Sequence, residues 1–259
     1  MGDSSPAPTQ WPAAFGMVFA TPEEAGPFKA CLSAWLGDVG IPVPHASRNV
    51  VREVSLPGGG KIAWTISGIG SDSAFRAAKQ LAQRHGVDWL VSVGVSGALR
   101  LGLAPGDVVR VGLVIDEAGQ RWPASALPGS PGGPELLTTF CASQVIRSPF
   151  EKKVLSDKWD ALLVDMETAG VARAAQDAGV GFSVVRAISD GLRDSIPIDI
   201  MPFLNSEGHI RYPRLILAIM ARPRAIPGLA QLGARTRRAS CALASYLIST
   251  LRQPGGALP

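Results

Sequence analysis

Cysteine is scarce in this sequence. Cys31, Cys141 and Cys241 are odd in number and far apart, which argues against a disulfide framework and for reduced thiols in a cytoplasmic setting. Each fits the role of a small buried hydrophobe. No apolar run approaches the roughly 20 residues needed to span a bilayer, which excludes an integral helical membrane protein. His45, His85 and His209 are isolated and lack metal-ligand spacing, so no metal is implied; no redox cofactor is implied either. Met1 to Gln10 has neither a basic nor an apolar stretch and reads as a floppy tail rather than a signal peptide. Acid and lysine are both missing after Glu207, where Arg211, Arg214, Arg222, Arg224, Arg235, Arg237, Arg238 and Arg252 all fall.

What is present is apolar and long enough for one large core: 259 residues, 46% hydrophobic. One domain over 14–252 is expected, with tails at 1–13 and 253–259 and a basic helical part at 208–252. The net charge is only +4, but the arginines imply an acidic partner if they face solvent. Nucleic acid fits poorly, because Tyr212 and Tyr246 are the only aromatics there and offer no stacking platform. Two readings remain: an amphipathic helix packed on the sheet with a solvated basic face, or an anionic membrane surface, since Leu215, Ile216, Leu217, Ile219 and Met220 interleave with the arginines.

The most informative stretch is Leu162 to Asp190. An apolar run hands into Asp165-Met166-Glu167, small residues follow at helical spacing, Gly179 closes the helix, and a second apolar run ends in Ser189-Asp190. The pattern predicts a βαβ unit with Glu167 and Asp190 past the ends of two parallel strands, the edge at which open α/β sheets bind ligands. Upstream, Phe15–Ala20 reads as a strand. Thr21-Pro22-Glu23-Glu24 reads as a helix N-cap, a first-turn proline and first-turn acids. A hairpin over 50–66, a helix over 73–85 and strands over 89–93 and 108–114 follow. Residues 116–134 read as a loop or lid, 135–142 and 150–155 as short helical pieces, and 94–98 as a glycine-rich turn.

Phe19-Ala20-Thr21-Pro22-Glu23-Glu24, Ser67-Gly68-Ile69-Gly70, Gly94-Val95-Ser96-Gly97, Gly106-Asp107, Val164-Asp165-Met166-Glu167 and Arg186-Ala187-Ile188-Ser189-Asp190 occur in that order. Over about residues 14–200 the succession resembles the nucleoside phosphorylase/nucleosidase superfamily. The resemblance implies an α/β fold: a single three-layer α/β/α domain with a central mixed, mostly parallel sheet. It also implies cleavage of the N-ribosidic bond of a purine nucleoside, and a homo-oligomer, by analogy a dimer.

That chemistry needs a proton for the departing base, support for an oxocarbenium-like sugar, and a nucleophile on the opposite face. A carboxylic acid held protonated by burial can supply the proton; Asp190 is the candidate, oriented by Ser189, and by resemblance donates to N7. The resemblance assigns Glu167 to the ribose 2′- and 3′-hydroxyls, Met166 to packing on the sugar, and Glu24 to activation of water. Each has a plainer reading: Glu24 and Glu167 as first-turn acids favoured by the helix dipole, Asp190 as an N-cap. Gly94, Ser96 and Gly97 are either ligand contacts or turn residues. Ile69 either faces the 5′ group or sits in the core, and Arg186 contacts substrate or pairs with a strand-end acid.

Phosphate as nucleophile would need fixed cationic donors. Thr21-Pro22-Glu23-Glu24 offers acids instead, and Ser92 and Val95 stand where phosphorolytic relatives carry Arg and Ser. Water is therefore favoured, with Arg76, Arg100 and Arg147 left as candidate phosphate ligands. By the same resemblance, the segment that binds the base in relatives falls near Gln144, Val145 and Ile146. The C-terminal part, including Gly208-His209-Ile210-Arg211 and Ala221-Arg222-Pro223, resembles the hopanoid-associated nucleosidase branch, which implies removal of adenine from adenosylhopane and an enzyme peripheral to the inner membrane. A phosphorylase and a non-catalytic nucleoside-binding protein are the competing classes.

Overall fold

The computed structural model describes residues 13–38, 40–41, 51–57, 59–128, 130 and 136–252. The expected tails, apart from Ala13, lie outside them. The strands are β1 (Ala14–Phe19), β2 (Arg52–Ser55), β3 (Lys61–Ile66), β4 (Trp89–Ala98), β5 (Val108–Asp116), β6 (Arg121–Pro123), β7 (Leu137–Cys141), β8 (Leu163–Asp165) and β9 (Gly181–Asp190). The helices are α1 (Pro22–Asp38), α2 (Ser71–His85), α3 (Pro149–Trp159), α4 (Thr168–Ala178), α5 (Tyr212–Met220) and α6 (Ile226–Leu251).

One mixed sheet runs β2-β3-β1-β4-β8-β7-β5-β6, and β9 joins β4 to β5. The path β4-β8-β7-β5-β9 therefore closes on itself. The alternation of side chains sorts the strands' apolar residues into two cores. Val18, Ala63, Leu90 and Val184 pack with α2 and α4. Met17, Trp64, Val91 and Val185 face the other layer, where α1 packs against α6. Helices thus cover both faces of the sheet, as the expected three layers require.

Four local expectations are corrected. First, residues 94–98 are not a turn but the continuation of β4, pairing with β9 and β8 across a bulge at Ser96/Gly97. Second, residues 137–141 form a strand rather than a helical piece; Thr138, Thr139 and Phe140 suit a pleated, half-buried surface. Third, β8 and β9 are neither parallel nor adjacent: β4 pairs antiparallel with β8 and parallel with β9. The acids still meet, because Gly97 on β4 lies opposite Val164 on one side and Asp190 on the other. Fourth, the 116–134 segment contains β6, hydrogen-bonded to β5, rather than loop alone.

Candidate active site

A cavity of about 800 Å³ opens where the ends of β1, β4 and β8 meet α1 and the C-terminal helices. Of the residues expected at a site, Glu24, Ile69, Ser96, Gly97, Val145, Met166, Glu167 and Ser189 line it. Asp190, Gly94 and Arg186 do not, and each lies behind the wall for a definable reason.

Glu24 is buried in the first turn of α1. Its Oε2 accepts from the N–H groups of Ala20 and Thr21, both at 3.0 Å, while its own N–H donates to Thr21 Oγ1 at 3.3 Å. That is a capping box, so the plain reading of Glu24 as a helix-start residue holds in part. Its other oxygen does more. Oε1 accepts from Val95 N–H on β4 at 3.0 Å, which aims the carboxylate into the cavity. Gly94 permits this approach: a β-carbon there would stand 2.9 Å from Oε1. Burial pushes the Glu24 carboxyl above its ordinary range, against the pull of the Val95 amide and the Arg186 charge.

Glu167 caps α4 and is half-buried. Its Oε1 accepts from Gly70 N–H at 2.9 Å, joining the Ser67–Gly70 segment to the acidic block. Burial, then the charges of Asp165 and Glu24, push this carboxyl up to about 8. Asp165, more deeply buried, has the opposite fate. Burial raises it, but the Arg186 guanidinium at 3.3 Å and bonds from Thr168 and from the Glu167 N–H hold it below its usual range. Arg186 is enclosed by Asp165, Ser92 Oγ at 2.7 Å and Thr168 Oγ1 at 2.5 Å. Its expected substrate contact is therefore corrected: it is the partner of a strand-end acid, and its charge is used there.

Asp190 ends β9, buried, with Ser189 Oγ donating to Oδ1 at 2.6 Å. Ser189 and Gly97 line the cavity directly over it; a β-carbon on Gly97 would lie 2.9 Å from Asp190 Oδ2. Its surroundings are not the purely apolar pocket that the sequence suggests. Lys152 on α3, fully buried, donates to Oδ2 at 2.5 Å and to the carbonyls of Gly191 at 2.7 Å and Asp194 at 3.1 Å. The sequence hides this lysine within Glu151-Lys152-Lys153. The signal is an inverted helix: Phe150 and Val154 are exposed while Lys152 and Ser156 face inward.

The far wall comes from the basic C-terminal part. Ile210, Tyr212, Leu215, Leu229 and Leu232 line it, extending the cavity well past the acids with an apolar surface. This contribution was not readable from the motifs. Arg237 is the one cation among the lining residues. Arg76, Arg100 and Arg147, the candidate phosphate ligands, are not among them: Arg100 pairs with Asp160, Arg76 donates to Ser73 Oγ, and Arg147 donates to the Ile196 carbonyl.

Comparisons with known proteins place the fold. A 5′-methylthioadenosine/S-adenosylhomocysteine nucleosidase of Shewanella halifaxensis is 24% identical over 173 residues, 56% of this chain and 75% of that protein. Among solved structures, the Helicobacter pylori nucleosidase of the same name superposes with TM-score 0.65 at 16% identity, over 93% of this chain and 98% of that one. Futalosine hydrolase of Helicobacter pylori gives 0.65 at 16%, over 92% and 96%. The S. pneumoniae nucleosidase, bound to a transition-state inhibitor, gives 0.67 at 17%, over 92% and 98%. These likenesses establish a shared fold. The sequence model of the phosphorylase superfamily matches residues 14–132 and 134–201, well over half of the length, and the chain belongs to that superfamily.

Proposed function

We propose that this protein hydrolyses the N-ribosidic bond of a purine nucleoside, with adenine as the base and a bulky apolar substituent at the 5′ position, adenosylhopane being the fitting example. The observation that carries the reading is the meeting of Glu24 and Glu167 on one cavity with Asp190 directly behind its floor. Glu24, pinned by three backbone N–H groups, takes a proton from water as the water oxygen bonds to C1′. The electron pair of the C1′–N9 bond leaves with the base, and N7 takes its proton from the Asp190–Lys152 pair. Glu167 accepts from the two ribose hydroxyls. The apolar extension along Leu215, Leu229 and Leu232 supports a large 5′ group, and the nucleosidase names among the relatives support the bond that breaks.

Hydrolysis is favoured over phosphorolysis because Arg186 is committed to Asp165 and because the Glu24 carboxyl on the cavity wall would repel phosphate once ionised. The test is free-base release from 5′-methylthioadenosine, futalosine and an adenosine with a polycyclic 5′ tail, with and without phosphate. Phosphate-independent release, fastest from the tailed adenosine, is expected. Dependence on phosphate would replace hydrolase by phosphorylase, and equal turnover of all three would remove the apolar 5′ specificity.

A further inference from the structure

Among the described α-helices, α5 alone buries no residue. Its two faces nonetheless differ. Tyr212 and Leu215 turn inward and line the cavity. Ile216, Leu217 and Met220, which do not line it, are 54%, 70% and 71% exposed, and Ile226 beyond the break is 47% exposed. Large aliphatic groups clustered on a surface mark an interaction site.

The arginines sort around this patch. Arg235 is paired with Asp194 at 2.7 Å, Arg252 lies over the Trp35 ring, and Arg237 faces the cavity. Arg214, Arg222 and Arg224 are exposed and flank the apolar residues.

We propose that the outer face of α5, together with Ile226, docks in the plane of an anionic lipid bilayer, its aliphatic groups among the acyl chains and its arginines at the headgroups. The docking rests on this surface and stands independently of the reaction proposed above. A second copy of the chain fits the patch poorly. A two-fold contact would set the same arginines against themselves, and no Asp or Glu follows Glu207 to neutralise them. Lipid phosphates supply that missing charge.

The contact is in-plane rather than spanning. Among the described residues no single helix is long and apolar enough to cross a bilayer, and α5 meets the segment from Pro223 at 104°. The apolar C-terminal half of α6 is already buried against the sheet and α1, through Ala239, Leu243 and Leu247. On the proposed hydrolase reading, docking sets the cavity's apolar wall against the layer in which a lipid-tailed nucleoside would reside.

Co-sedimentation of the full chain with phosphatidylcholine vesicles, with and without phosphatidylglycerol, tests this without any substrate. The protein is expected to sediment with the anionic vesicles only, and less as salt rises. Leu217→Glu with Met220→Glu, and separately Arg222→Glu with Arg224→Glu, are each expected to weaken partition by about tenfold or more. Release of base from a water-soluble nucleoside should stay unchanged, since none of these four side chains lines the cavity. The arginine pair touches no core, so it remains informative if the apolar pair misfolds. Failure to bind anionic vesicles, unchanged binding by the arginine variant, or a lipid-free dimer that the Leu217 variant dissociates would each overturn the proposal.

Discussion

Replacing Glu167 by Gln should make the protein more stable in alkali while abolishing turnover. The folded-state carboxyl sits at about 8 against an ordinary 4.5, because burial and the charges of Asp165 and Glu24 oppose its ionisation. Between those values the folded chain keeps a proton that the unfolded chain has released. Unfolding then releases a proton, and stability falls as pH rises through that window, levelling off above about 8. At about 1.4 kcal/mol per unit, ionised Glu167 costs the fold on the order of 3–5 kcal/mol, allowing for water in the open cavity. Glutamine keeps an oxygen for the Gly70 amide and removes the charge. Urea unfolding of both proteins at pH 5 and pH 9 measures the effect. Nearly equal stabilities at pH 5 and a variant advantage of a few kcal/mol at pH 9 are expected. Glu24, also raised, gives both proteins a slope of the same sign, so the difference between them isolates Glu167 and its repulsion of Glu24. Parallel pH curves would refute the argument that these acids share one desolvated site.

Lys152→Met should lower unfolding free energy by about 3–5 kcal/mol, because it strands a buried carboxylate; calorimetry checks it, and unchanged stability would refute the reasoning. Gly94→Ala should push Glu24 Oε1 off the Val95 amide and lower kcat about 100-fold, with only a small shift in Tm; unchanged kcat would remove Glu24 from the reaction.

The layered fold and the order of its motifs are legible in the sequence because buried strands are apolar runs and helix starts are marked, as at Thr21-Pro22. Failures come where a glycine serves a neighbour rather than its own backbone. Gly94 and Gly97 read as turn residues, yet they sit in β4 and make room for Glu24 and Asp190. The 137–141 strand reads as helical because five residues are too few for period to separate strand from helix. Lys152 is hidden because a lysine beside another lysine suggests solvent, and only tertiary packing turns it inward.

What no reading of motifs supplies is the state of each acid, which is set by the donors facing it. Asp165 and Glu24 are both buried, yet the first is lowered and the second raised. Asp165 has a guanidinium at 3.3 Å and bonds from Thr139, Thr168 and the Glu167 amide, whereas Glu24 has three amides and only a remoter share of Arg186. Glu167, with the Gly70 amide and two acids as neighbours, is raised further. Burial alone therefore does not decide which acid holds a proton. Arg186 lowers Asp165 by standing beside it, leaving Glu24 and Glu167 as lining carboxyls raised above their ordinary range, Glu167 up to about 8.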